Sequence, residues 1–387
     1  MLGQTAVFVV CLIFLADAGA IGLGNGPESE LYRFREVFQD ERIPAGYSVE
    51  EFAEKEVEDS ELRMPGVTLN TKETYLCTAF PLDLVQEHYL GKFFLKETYL
   101  CTAFPLDLVQ EHYLVEFEAL AQASHVHHIL LFGCDEPGSD EQVWDCGDMT
   151  VKSGEYTQRP VCKSNPEILF AWAKNAPKLA LPEGVGYKVG GQTKSKNLIL
   201  QVHYMHEETK PDYSGLKVVS TTIPQPRTAS TLLIVTGGVA KAHETTDFEA
   251  ACVVDEPVVM HPFAFRVHTH SHGTKVSGYV VTEDAQTGED HWHLIGERNP
   301  QLPQLFAPIQ NKSMTIQPGD MIASRCTMKN DENRNVEIGG TGDKEMCNFY
   351  LAYYVEGDRV LQDNVCYSPG APKYTWKSTA GLNHIPH

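Results

Sequence analysis

Positive charge is scarce in this chain. Its 31 Lys and Arg stand against 52 Asp and Glu, a formal net charge of −21. That balance argues against nucleic acid or an anionic membrane as partner, because both need basic patches to hold them. Much of the acid lies in EEFAEKEVEDSE (50–61), read as a solvated helix or flexible lead-in. Long apolar runs are missing too. The stretch from Ala6 to Leu15 is short and ends in small residues, with Ala18 and Ala20 in an A-x-A arrangement. Residues 1–20 therefore read as a secretory signal peptide; the missing basic n-region leaves an uncleaved anchor as the alternative. No later segment is long and apolar enough to span a bilayer. Helical periodicity is rare as well, confined to ILFAWAKNA (168–176) and the acidic lead-in of residues 21–60.

What remains is strand-like. NLILQVHYM, TLLIVTGGV, FAFRVHTH, KVSGYVVT and FYLAYYVE are short runs of Val, Ile, Phe, Tyr and Thr, cut by Gly, Pro and Asn. The pattern predicts an all-β protein of two tandem antiparallel β-sandwich (jelly-roll) domains. IPQPRTAS (223–230) holds two prolines between strand-rich halves and marks the boundary. The expected domains are 61–222 and 223–375, followed by a tail at 376–387.

KETYLCTAFPLDLVQEHYL occurs twice without a difference, at 72–90 and 96–114. Two copies are too few for a solenoid, so the repeat reads as a recent tandem duplication or an assembly error. It also bears on the cysteines. After loss of Cys11 with the signal, nine remain, an odd number for an oxidising compartment. Cys77 and Cys101 are one cysteine written twice; counted once, eight remain, enough for four bridges. Asn311-Lys312-Ser313 is a glycosylation sequon.

Sixteen histidines are many, and several lie in strand-like runs. Residues i, i+2 and i+4 of a strand share a face. That sets Arg266, His268 and His270 side by side, likewise Met346, Asn348 and Tyr350, and pairs Gln201 with His203. Two imidazoles on one face can share a metal, and a thioether suits copper far better than zinc. Taken one at a time, each HxH pair is an ordinary surface or core feature, and Met346 an ordinary core filler. The combination of rows points to a metal.

HHILLFGC (127–134), LQVHY (200–204), FAFRVHTH (263–270), LIGERNPQLPQ (294–304) and IGGTGDKEMCNFY (338–350) together resemble the peptidylglycine α-hydroxylating monooxygenases, from about RMPGV (63–67) to VCYSPGAP (365–372). The resemblance implies two copper ions, one per domain, facing each other across a solvent-filled gap. It implies His127, His128 and His203 as ligands of one, and His268, His270 and Met346 as ligands and catalytic centre of the other. Strand geometry alone prefers His125 with His127, so the adjacent pair requires an irregular backbone there. The implied activity is hydroxylation of the α-carbon of a C-terminal glycine, the first step of peptide amidation, with ascorbate as reductant and O2 as co-substrate.

By the same resemblance Arg266, Asn348 and Tyr350 clamp the peptide carboxylate. Gln201 and His261 stand in or near the copper surroundings, with His261 equally readable as a core histidine. The implied disulfides are Cys134–Cys162, Cys252–Cys366 and Cys326–Cys347, plus Cys146 with Cys77 or Cys101. By the same resemblance the spacing matches the family from Met64 to Cys77, upstream in the first copy, and from Cys101 to His127, downstream of the second. The duplication is thus an inserted 24-residue unit with no function of its own.

Two other readings compete. A dopamine or tyramine β-hydroxylase shares the copper ligands, but its substrate has no carboxylate to engage Arg266. A non-catalytic secreted copper-binding sandwich would not need the complete ligand set. The expected setting is the secretory pathway, a granule lumen or outside the cell. The expected partners are glycine-extended peptides and a separate peptidyl-hydroxyglycine lyase acting downstream, because no second catalytic domain follows by His387.

Overall fold

A computed structural model describes residues 57–69, 74–81, 109–146, 156–204, 208–339 and 344–387; for 69, 74–81, 208 and 209 it describes the backbone only. The signal segment, residues 21–56 and Cys101 lie outside it. Among the described residues every regular element is a strand, and no helix is long and apolar enough to cross a membrane.

The strands form two sandwiches. In the first, a five-stranded antiparallel sheet runs in the order Trp144–Asp145, Thr74–Pro81, Asn197–Tyr204, Val126–Cys134, Glu167–Ala173. It packs on Val57–Arg63, Gly215–Thr221, Glu111–Leu120 and Val185–Gly190, with Phe117 stacked on Phe170 at 5.0 Å and 5°. In the second, Arg227–Thr236, Asn348–Glu356 and His261–His268 face the sheet of Thr245–Val253, Met321–Lys329, Gly273–Glu283 and Asp290–Arg298. Here Gly278 and Gly296 pair across two strands, and a Cβ at either would collide with Phe349 or Phe265. The bare backbone admits that ring pair, stacked at 5.6 Å and 10°.

Parallel pairing of Arg227 and Thr228 with Val185 and Gly186 carries one sheet from the first sandwich into the second. The core changes along this strand: Ala229 belongs to one cluster, Leu232 and Ile234 to another. Further contacts fasten the sandwiches together. Phe170 and Phe306 lie 6.1 Å apart, and Tyr187 Oη and Thr231 Oγ1 share a 2.6 Å hydrogen bond. Lys174 Nζ donates to Pro300 O at 3.0 Å and Gln301 Oε1 at 3.3 Å.

Two local expectations are corrected. ILFAWA is not helical: Glu167–Ala173 is a strand, buried from Leu169 to Ala173. A strand covered on both faces reads as a continuous apolar run, which periodicity cannot tell from a buried helix. VEDSE, the end of the acidic lead-in, is the start of edge strand Val57–Arg63. Asp59 and Glu61 are exposed on its outer face, and Asp59 pairs with Lys217 at 2.6 Å.

The implied disulfides Cys134–Cys162, Cys252–Cys366 and Cys326–Cys347 are present. Cys146 is also bridged, to a cysteine outside the described side chains. The repeat is divided between two strands. Its first copy supplies Thr74–Pro81, and its second copy supplies EHYL at the start of Glu111–Leu120. Asn311 is exposed, with Oδ1 accepting from Ser313 Oγ at 2.7 Å. The tail is part of the second sandwich: Trp376 is fully buried, and Arg325 lies over its ring at 4.4 Å.

Candidate metal centre

The first histidine set sits on the two central strands of the five-stranded sheet. His203 pairs with His128, but its neighbour Tyr204 pairs with Val126. His127 is therefore the extra residue of a β-bulge. That is the irregularity which lets two consecutive histidines turn the same way. The Nδ1 atoms of His127 and His203 are 3.0 Å apart, and those of His203 and His128 3.4 Å apart. One ring nitrogen from each of the three lies within 4.8 Å of the others. Burial, and after it the neighbouring histidines, disfavour protonation of His127 and His128: His127 falls to about 3, and His128 lies well below the ordinary histidine value. Three imidazoles crowded together, two of them kept from protonating by burial, are a donor set for a soft or borderline cation. His125, the alternative to His128, lies exposed in the preceding turn and outside this group.

The second set is ordered by hydrogen bonds to the far side of each ring. His268 Nδ1 lies 2.6 Å from Gln304 Oε1, while the Gln304 amide donates to Thr269 O and Pro300 O. Gln304 Oε1 can only accept, so the proton is on Nδ1 and the lone pair on Nε2. His270 Nδ1 lies 2.8 Å from the Lys344 carbonyl, which fixes the same tautomer. The Nε2 atoms of both rings are buried and unpaired among the described residues. A buried acceptor without a donor is costly, and a metal removes the cost. The donor chemistry thus fits copper, with Met346 buried beside Asn348, whose Nδ2 lies 3.9 Å from its sulfur.

The two sets approach each other closely, beside a cavity that both His128 and His268 line. The ring of His127 lies 5.4 Å from His270 and 6.1 Å from His268, and that of His128 lies 5.4 Å from His268. The contacts of Lys174, Phe170 and Tyr187 across the junction draw the sandwiches together at this point.

Arg266 is 1% exposed, opposite Tyr350 on the adjoining strand, with its guanidinium 4.9 Å from the Tyr350 ring centre. Nε donates to Gln304 O at 3.0 Å and Nη2 to Gln304 Oε1 at 3.3 Å. Among the described residues no carboxylate pairs with it. Asn348 Nδ2 bonds Tyr350 Oη at 3.4 Å, and Asn348 Oδ1 is buried and unpaired. Arg266, His268, Met346, Asn348, Tyr350 and Gln201 line one cavity of about 520 Å³. The Gln201 amide donates to Cys146 Sγ at 3.7 Å. His261 is elsewhere: it opens the strand that His268 closes and stacks on Tyr354 at 4.9 Å. Seven residues of strand separate it from His268 by roughly 23 Å.

Within LIGERNPQLPQ (294–304), the loop that follows strand Asp290–Arg298 carries residues whose role no sequence pattern marks. Gln304 orients His268 and Arg266 together, and Gln301 Nε2 donates to Gly273 O at 2.9 Å and also to His270 O. A polar pair in a proline-rich loop carries no signal of that kind.

An all-β pair of sandwiches brings two histidine sets together at one cleft, an arrangement of donors that can hold metal. The description "Copper type II ascorbate-dependent monooxygenase" matches twice, its N-terminal domain over residues 95–211 and its C-terminal domain over 227–379. The chain belongs to the copper type II ascorbate-dependent monooxygenase family. It is 36% identical over 320 residues to peptidyl-glycine alpha-amidating monooxygenase A of Xenopus laevis, covering 81% of this chain and 30% of that protein. Against the peptidylglycine alpha-amidating monooxygenase of Rattus norvegicus it is 35% identical, covering 81% and 28%. Human dopamine beta-hydroxylase is more distant, 28% identical over 59% of this chain and 38% of that protein. The chain thus spans about a third of the length of the curated relatives it matches. Among solved structures, the major capsid protein P2 from Bacteriophage PM2 aligns over 78% of this chain and 99% of that chain, at a TM-score of 0.27 and 9% identity, too low to argue from.

Proposed function

We propose that this chain is a peptidylglycine monooxygenase. It hydroxylates the α-carbon of the C-terminal glycine of peptides, using two copper ions, ascorbate and O2. His127, His128 and His203 would hold one copper, and His268, His270 and Met346 the other. Bound copper supplies the one-electron chemistry that passes reducing equivalents from ascorbate to O2 at the substrate carbon.

The chain's own residues supply binding and orientation. The observation that carries the reading is Arg266: a fully buried guanidinium with no carboxylate partner among the described residues, in the cavity that also contains Met346 and His268. A buried, uncompensated cation is expensive unless an anion from outside completes it. A peptide carboxylate does so, and the fork geometry fixes its direction. Tyr350 Oη can donate to the carboxylate, and Asn348 Oδ1 can accept a peptide N–H beside it. Docking the carboxylate on Arg266 places the adjacent α-carbon next to His268, one step along the same strand face. A phenylethylamine brings no such anion, which favours the peptide over the catecholamine reading. The disulfides fit the secretory pathway as the setting, and a separate lyase is the expected next enzyme.

The test is a mass assay of the secreted protein with copper, ascorbate, O2 and a glycine-extended peptide, with tyramine in parallel. Gain of one oxygen on the peptide alone, abolished by Met346→Ala, supports the proposal. Oxygen gain on tyramine alone refutes it.

A further inference from the structure

The strand that carries the second histidine set stops too early for one of its members. His268 is the last residue of its ladder, paired with Asn348 on the neighbouring strand. His270 lies two residues beyond, where no strand partner holds its backbone. Something else must fix it, because a ligand free to swing contributes little to a preorganised site.

The three residues 344–346 converge on it. The Lys344 carbonyl orients the His270 ring at 2.8 Å. The Glu345 carboxylate accepts the His270 backbone N–H on Oε2 at 3.0 Å. Met346 follows directly in sequence. Glu345 is 1% exposed and has no Lys or Arg partner among the described residues. Its other oxygen, Oε1, accepts the backbone N–H of His272 at 3.0 Å and lies 3.0 Å from His272 Nδ1. His272 Nε2 in turn lies 3.1 Å from Glu332 Oε1. The backbone of Glu345 is itself tied down, its N–H to Glu337 O at 2.9 Å and its carbonyl to Gly339 N at 2.7 Å. The HSH motif at 270–272 thereby gains a role: its second histidine does not face the cleft but braces the carboxylate that holds the first.

We propose that Glu345 is a positioning residue, whose buried carboxylate replaces the missing ladder and locks the His270 backbone to the residue preceding Met346, so that imidazole and thioether reach one copper together. His272 and Glu332 are its outer brace. The inference rests on the reading of His268, His270 and Met346 as ligands of one copper.

The test uses the secreted chain loaded with two equivalents of Cu(I). Glu345→Gln keeps shape but turns an N–H2 toward one of the two backbone N–H groups, so one bond is lost. X-ray absorption should lose the Cu–S contribution of Met346. Competition titration should show one of two copper equivalents weakened about 10- to 100-fold, the range for loss of an outer partner of a metal ligand. The other equivalent, on the first sandwich, should be unchanged. His272→Asn removes the brace alone and should weaken the same equivalent by about threefold; it carries the test if Glu345→Gln does not fold. Retention of the Cu–S signal and of both affinities in the folded variants overturns the role of Glu345. A parental protein without any Cu–S contribution overturns the ligand reading instead, and the proposal with it.

Discussion

The side-chain oxygen of Gln304 stands 2.6 Å from His268 Nδ1 and 3.3 Å from Arg266 Nη2, so one buried amide sets the tautomer of His268 and holds the Arg266 guanidinium. The proposed copper ligand and the proposed carboxylate anchor are therefore mechanically coupled. Gln304→Leu removes both bonds while keeping an apolar side chain of similar reach. Copper affinity at the second site should fall about 10- to 100-fold. The KM for a glycine-extended peptide should rise in the same variant. Copper competition titration and steady-state kinetics check the two effects separately.

Arg266 itself should govern substrate class. Arg266→Met preserves burial and removes the guanidinium. Loss of a charge-assisted hydrogen-bonded pair costs about 2–3 kcal/mol, roughly 30- to 160-fold in kcat/KM for the glycine-extended peptide. A peptide amide lacking the carboxylate should bind parent and variant alike. Equal losses for both ligands would remove the anchor role.

Lys174 reaches from a left-handed turn (φ 53°) in the first sandwich to Pro300 and Gln301 in the loop that holds the second set. Lys174→Met removes the ammonium and keeps the stem. We expect about 1 kcal/mol of lost stability, read from denaturant unfolding. Lys174→Arg should restore most of it.

Glu167 is buried at the sandwich junction, accepting from Ser195 Oγ at 2.8 Å and Ser230 Oγ at 3.4 Å. Burial raises its carboxyl above the ordinary 4.5, against the pull of the two hydroxyls and Lys194. A raised folded value means that the folded state binds the proton more tightly. The resulting stability is fully present below the unfolded value and is lost as pH rises through the folded one. Glu167→Gln cannot titrate. The fall in Tm above about pH 4.5 that Glu167 contributes in the parent should be missing in the variant.

The duplication makes the last prediction. Thr74–Pro81 comes from the first copy and the opening of Glu111–Leu120 from the second. Deleting residues 77–100 leaves one intact copy with both strands encoded. The shorter connection should raise stability by about 1–2 kcal/mol through reduced closure entropy. A folded, equally active deletion protein shows the extra unit to be dispensable. Loss of folding would assign it a structural task.

Much of this protein is set by local sequence. Alternation in FAFRVHTH and EMCNFYLAYY is enough to put Arg266 with His268 and Asn348 with Tyr350, because a pleated strand leaves side chains only two directions. The bulge at His127 was not legible that way: alternation alone prefers His125 with His127, and only the family resemblance called for the adjacent pair and the irregular backbone it needs. Only the tertiary structure decided the rest. ILFAWA is apolar on all sides, so its state depended on what covered it. Gln304, Gln301, Glu345 and Lys174 are polar residues of loops and strand ends, whose partners lie far away in the chain. The closeness of the two histidine sets was not legible either, since no periodicity encodes how two sandwiches meet. Sequence determines which side chains a strand presents to a face. Burial and long-range hydrogen bonding decide which faces meet, and those are properties of the folded chain as a whole.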